Sequence, residues 1–138
     1  MRVILDTNVL FSAFIRVDSK PYKVVQAWLD GVFELVSSAA QIEEVARASR
    51  YPRVRQLLGP AEIGWLVNRI RDRALMLERL PKVDISPDPS DNFLLGMAQA
   101  GGAEFLVTGD KTGLLMLRQH LKTRIVSVTE FVAEVGLK

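Results

Sequence analysis

Short apolar segments recur along this chain, each followed by turn residues and then a stretch of helical periodicity. No other feature limits the possible folds as strongly. Arg2–Leu5, Val32–Val36, Glu104–Val107 and Ile125–Val128 read as strands. Parallel strands need a long crossover, usually a helix, so strands alternating with helices argue for a parallel sheet covered on both faces. The expected class is α/β, a three-layer α/β/α arrangement around a central parallel sheet. The 138 residues, 49% of them hydrophobic, suffice for one domain spanning 1–138 with a single buried core.

The intervening stretches carry helix signals. Val9–Ile15 reads as a short buried helix behind the cap-type residues Thr7 and Asn8, and Tyr22–Asp30 as a helix closed by Gly31. Ser38-Ala-Ala-Gln41 matches a capping box, and the helix it opens uses Ile42, Val45 and Ala46 before Pro52 ends or kinks it. Pro60 suits the first turn of the next helix, whose apolar positions run Ile63, Leu66, Val67, Ile70, Ala74 and Leu77 until Pro81. Val83–Pro89 is extended. Asp91–Ala100 is apolar nearly all round, the pattern of a buried helix, and ends at Gly101 and Gly102. Leu114–Leu121 reads as a helix, and Thr129 as the cap of a last helix through Val135.

Four acids stand at or near points where an apolar strand gives way to a loop or helix: Asp6, Glu44, Asp91 and Asp110. In parallel α/β sheets, ligands collect beyond the carboxyl ends of the strands. Carboxylates crowded there repel one another unless a cation offsets them, and an all-oxygen set suits Mg²⁺ or Mn²⁺. Each acid also has a plainer reading. Asp6 could cap the helix after it, Asp91 could cap its own helix, and Asp110 could sit in an ordinary Gly-Asp turn. Helical spacing does not choose between Glu43 and Glu44. Thr108 could orient a water through its hydroxyl. Together the acids point to metal-assisted hydrolysis of a phosphate ester.

Other chemistries are excluded. Cysteine is absent, so there is no disulfide and no thiolate metal site, which fits a reducing cytoplasm. The single histidine, His120, reads as a surface residue on a helix with Arg118 and Lys122. Neither a G-x-S-x-G nor a phosphate-binding G-x-x-x-x-G-K-[ST] sequence occurs. The charge-free run Phe93–Ala103 is too short to span a bilayer, and no signal peptide is evident. Residues 47–79 hold eight arginines, including Arg47, Arg50, Arg53 and Arg55, against Glu62, Asp72 and Glu78. This basic stretch is either a solvated helical face or an electrostatic footprint for a polyanion.

VILDTNVLFSAF, FELVSSAAQIEEVARASRYPRV, DPSDNFLLGMA, FLVTGDKTGLL and IVSVTEF, in this order and separation, resemble the PIN-domain family of metal-dependent ribonucleases, in particular its toxin–antitoxin branch. By position, the resemblance puts the family's acids on Asp6 (with Thr7 and Asn8 beside it), Glu44, Asp91 and Asp110, with Thr108 ahead of the last. Asp88 is an additional carboxylate nearby. The resemblance implies RNA cleavage with Mg²⁺ or Mn²⁺, a homodimer, and a small antitoxin protein that occupies the basic groove.

Two other functions fit parts of the pattern. A phosphatase-like domain would use Asp6 as a nucleophile, but it usually needs a second acid two residues on, where this chain has Asn8. A non-catalytic RNA-binding or scaffolding domain would keep the arginines and tolerate loss of the acids.

Overall fold

The computed structural model describes all residues from Met1 to Lys138. Strand β1 is Arg2–Leu5, followed by helices α1 (Thr7–Ile15) and α2 (Lys20–Leu29). Then come β2 (Glu34–Ser38), α3 (Ala39–Ala48), the single turn α4 (Pro52–Arg55), α5 (Pro60–Arg73) and β3 (Leu75–Leu77). A 3-10 turn at Pro89–Asp91 leads into α6 (Asn92–Gly101) and β4 (Phe105–Val107). A second 3-10 turn at Leu114–Leu117, β5 (Gln119–His120), β6 (Thr123–Val126) and α7 (Val128–Val135) complete the chain.

The six strands lie in the order β3-β2-β1-β4-β6-β5, all parallel except β5, which pairs antiparallel with β6. β1 is central, and its alternation assigns each side chain to a layer. Val3 and Leu5 enter a core shared with α1, α2, α3, α5 and α7, whereas Ile4 enters a second core built on α6. This is the three-layer architecture expected from the sequence. Helices follow β1 and β2 on one side of the sheet order, and β4 and β6 extend the other side. The chain therefore reverses direction between β1 and β4, and a crevice opens at that point beyond their carboxyl ends.

Several local expectations are corrected. The periodicity continued into Ala74 and Leu77, but α5 stops at Arg73 and Leu75–Leu77 is an edge strand. Leu75 and Leu77 face one core and Met76 the other, an alternation that three residues are too few to reveal. Pro52 opens α4 at its first turn rather than ending α3, which has already closed at Ala48. Leu114–Leu121 is not an α-helix. Arg118 and Leu121 adopt φ of 63° and 52°, which break it into a 3-10 turn and a tight antiparallel hairpin. His120 lies in that hairpin, buried, with Nε2 3.2 Å from Gln99 Oε1, not on a helix surface. The last helix is capped by Ser127, which forms a reciprocal box with Glu130, and Thr129 lies inside it. No helix is long and apolar enough to cross a membrane.

Candidate active site

The Ser38–Gln41 capping box does not form, and the reason leads into the site. Ser38 makes no cap bond; its hydroxyl points to Met97 Sδ at 3.1 Å. Gln41 turns inward instead. Its Nε2 donates to the Leu5 carbonyl at 2.7 Å and its Oε1 accepts from the Ser37 hydroxyl at 2.6 Å, all fully buried. Gln41 thus ties the start of α3 to the end of β1, immediately before Asp6. Replacing it with alanine strands a buried carbonyl and a buried hydroxyl and opens a void. Gln41→Ala is expected to destabilise the fold by about 2–4 kcal/mol in urea unfolding. A loss under about 0.5 kcal/mol would show that this bridge is dispensable.

Asp6 follows β1, and its backbone oxygen accepts from the amides of Val9 and Leu10 at the start of α1. Its side chain makes no regular cap bond, so the plainer reading as a helix cap is not what the structure contains. It is only 7% exposed, and its Oδ2 accepts from the Thr108 hydroxyl at 2.7 Å. Burial pushes its pKa up, and the Thr108 bond and the nearby amides of Asn8 and Thr7 only partly oppose this. Thr108, at the end of β4, also accepts from the Asp110 amide at 3.2 Å. Its hydroxyl proton goes to Asp6, so Thr108 links the Asp6 carboxylate to the Asp110 turn.

Glu44 is the half-buried member of the Glu43–Glu44 pair; Glu43 is exposed. The buried hydroxyl of Thr7 donates to Glu44 Oε1, and Arg47 lies 3.7 Å from its other oxygen. Burial nonetheless raises its pKa, with Asp6 adding repulsion. Asp91 closes the 3-10 turn before α6 and makes no cap bond. Its pKa is pushed up to about 7, first by burial and then by Asp6, Asp88, Glu44 and Asp110. That list of neighbours is the clearest electrostatic sign that carboxylates distant in sequence share one field. Asp88, fully exposed, is held below its usual range by bonds from the Ser90 hydroxyl and amide.

Asp6, Glu44, Asp88, Asp91 and Asp110 all line one cavity of about 1050 Å³ at the crevice between β1 and β4. Asn8 lines it as well, with Arg47 and Arg53 on the bank formed by α3 and α4. Arg50 and Arg55 do not; Arg50 Nε donates to the Ala46 carbonyl at 3.2 Å and so caps its own helix. Two of these four arginines thus border the cavity and two do not.

The donor set consists of carboxylate and hydroxyl oxygens, the chemistry that hard divalent cations take. Burial raises the pKa of Asp6, Glu44 and Asp91, and repulsion from neighbouring acids adds to it. The arrangement is open, however, and no three acidic or histidine side chains stand close enough to hold one ion. Four of the five carboxylates have a local donor instead, Asp6 from Thr108, Glu44 from Thr7, Asp88 from Ser90 and Asp110 from Thr112, and Asp91 has none. Mutual repulsion favours such spreading. Gly113 permits the Asp110 conformation, because a Cβ there would collide with the Asp110 carboxylate. Sequence reading missed Gln41, Gly113 and the cavity residues Ser12, Ser90, Tyr51 and Leu57. Only Gln41, a polar residue beside Ile42 and Val45, left a signal in the sequence.

Comparison with known proteins is consistent with this geometry. The family model for the PIN domain matches residues 2–112. Among solved structures, the chain is similar to the crystal structure of VapBC2 from Rickettsia felis bound to a DNA fragment from their promoter. The TM-score is 0.59 at 14% identity, covering 92% of this chain and 98% of that one. At that identity the likeness concerns the fold. No curated protein shows significant similarity to the chain.

Proposed function

The chain belongs to the PIN-domain family, whose members are generally nucleases, and from that premise we propose that it is a divalent-metal-dependent endoribonuclease, the toxin of a toxin–antitoxin pair. The observation that carries the proposal is the gathering of Asp6, Glu44, Asp91 and Asp110 on one cavity at the sheet's crossover point, with Arg47 and Arg53 also lining it.

Asp6, Asp91, Asp110 and Glu44 would hold Mg²⁺ or Mn²⁺. Such an ion lowers the pKa of a water and offsets charge on the scissile phosphate. The chain's own groups supply the rest. Thr108 fixes the Asp6 carboxylate through its 2.7 Å bond, and Thr7 fixes Glu44. Burial and the neighbouring acids push the Asp91 carboxyl up to about 7, and a divalent cation would favour its ionised form. Arg47 and Arg53 attract the phosphate backbone and hold it against the acidic bank. Asn8, exposed on the cavity wall, offers an amide to substrate.

The test is incubation of labelled single-stranded RNA with the protein in Mn²⁺ and in EDTA, with a DNA strand of the same sequence alongside. Metal-dependent cleavage of RNA supports the proposal. An inert protein that still binds RNA would favour the scaffold reading. A covalent phosphate on Asp6 would favour the phosphatase-like one, which is already disfavoured by the burial of Asp6 and by Asn8 two residues on.

The arginines give a sharper discrimination. Arg53→Ala is expected to weaken RNA binding and to lower the slope of log affinity against log salt by about 1. Arg50→Ala is expected to leave both unchanged, since its guanidinium is turned to a helix carbonyl. Fluorescence anisotropy across a KCl series reads both, and equal effects would contradict the division of the arginine stretch.

The partner proposed is a small antitoxin that covers the same cavity, whose rim includes the exposed apolar side chains of Ile15 and Leu57. Homodimerisation and action in the cytoplasm, where cellular RNA is met, are part of the same proposal.

A further inference from the structure

Tyr51 lines the cavity, yet the account above gives it no task. It is 53% exposed, on the bank that carries Arg47 and Arg53. The other exposed large aromatic, Trp65, is accounted for: Phe14 meets its ring edge-on at 5.5 Å and Arg69 covers it at 4.9 Å. Tyr51 has no such partner. Its backbone, by contrast, is firmly held. It is extended before Pro52, its amide donates to the Ala48 carbonyl at 3.1 Å, and its own carbonyl accepts from the amides of Val54 and Arg55. An exposed ring on a firmly held backbone, lining one cavity with two arginines and a set of carboxylates, is an arrangement that suits unpaired nucleotides. Phosphates pair with the cations while a base stacks on the ring. Bases within a duplex are already stacked and offer no free face. An apolar protein segment would gain little from flanking arginines, so charge complementarity favours a nucleic acid strand on this bank.

We infer that Tyr51 is a base-stacking platform that selects unpaired RNA, seating one base beside the phosphate to be cut while Arg47 and Arg53 hold the neighbouring phosphates. This rests on the ribonuclease reading. The cavity, at about 1050 Å³, is as large as the upper range of small-molecule sites, roughly 300–1,000 Å³, and has room for more than one nucleotide.

The test uses a short RNA strand carrying the fluorescent base 2-aminopurine, whose emission is quenched on stacking. The strand and its duplex are titrated in EDTA with the wild-type protein, Tyr51→Ala and Tyr51→Phe, and cleavage of each is then followed in Mn²⁺. Wild type and Tyr51→Phe are expected to quench the single strand. Tyr51→Ala is expected to lose the quenching and to bind about five- to a hundredfold more weakly, with KM rising more than kcat falls. The duplex is expected to bind weakly and to be indifferent to the substitution. Retained quenching and affinity in Tyr51→Ala would overturn the inference while leaving metal-dependent cleavage intact. A wild-type protein that neither binds nor cleaves RNA would overturn both. Unchanged RNA affinity with lost affinity for a co-purifying protein would assign Tyr51 to a protein interface and would likewise overturn it.

Discussion

Asp6→Asn is expected to lower RNA cleavage in Mn²⁺ by at least about a hundredfold, because several kcal/mol of transition-state stabilisation depend on the cation it helps to hold. The fold should survive the change. Asparagine is nearly isosteric and keeps an oxygen for the Thr108 hydroxyl, now 2.7 Å from the carboxylate. Stability should in fact rise at neutral pH. Burial raises the Asp6 pKa, so the folded state resists its ionisation. The resulting stability is complete at low pH and is lost as pH rises through the folded-state pKa, a loss that an uncharged side chain avoids. Activity lost with the melting temperature maintained or raised marks a functional carboxylate. Activity and stability lost together would mark a structural one.

Asp91→Asn is expected to have the larger effect on stability. In the unfolded chain this carboxyl ionises near 4; in the fold it does so at about 7. Its contribution is therefore full below about pH 4 and falls away as pH rises toward 7. The side chain is partly exposed, so solvent screening reduces the effect to on the order of 1–2 kcal/mol, or a few degrees in melting temperature. In EDTA, wild type should melt lower at about pH 8 than at about pH 5, and Asp91→Asn should flatten that dependence. Asp6 and Glu44 act in the same direction, so some slope will remain. Mn²⁺ should restore the wild-type melting temperature at the higher pH and do much less for the variant. Calorimetric melts at the two pH values, with and without Mn²⁺, read all of this. Identical pH profiles for the two proteins would remove Asp91 from the shared field.

Where the pattern was long, the sequence was readable. Arg2–Leu5 is legible because three consecutive apolar residues, buried on both faces of a central strand, give way to the polar run Asp6-Thr7-Asn8 that opens the next helix. The apolar run after Asp91 declared α6 for the same reason. Shorter elements were not readable. β3 has three residues and β5 two, and each is held by its neighbours rather than by its own preferences. Ser38 and Gln41 matched a local motif that tertiary bonding overrode. Leu5 offered a buried carbonyl, and satisfying it outweighed a helix cap that exposed amides can replace with water. In the site, residue types and strand ends nominated Asp6, Asp91 and Asp110, while Glu44 was set apart from Glu43 only by resemblance and needed three-dimensional burial to explain it. The Thr7 and Thr108 braces depend on contacts between segments that no local pattern encodes.

The central proposal is that Asp6, Glu44, Asp91 and Asp110, which line one cavity, together hold a divalent cation. Titration of Mn²⁺ followed by electron paramagnetic resonance, which counts the free ion, addresses it directly. The account predicts saturable uptake by the wild-type protein that is largely lost in both Asp6→Asn and Asp91→Asn. Failure of the wild type to take up Mn²⁺ at millimolar concentrations, or uptake unchanged in both variants, would contradict it.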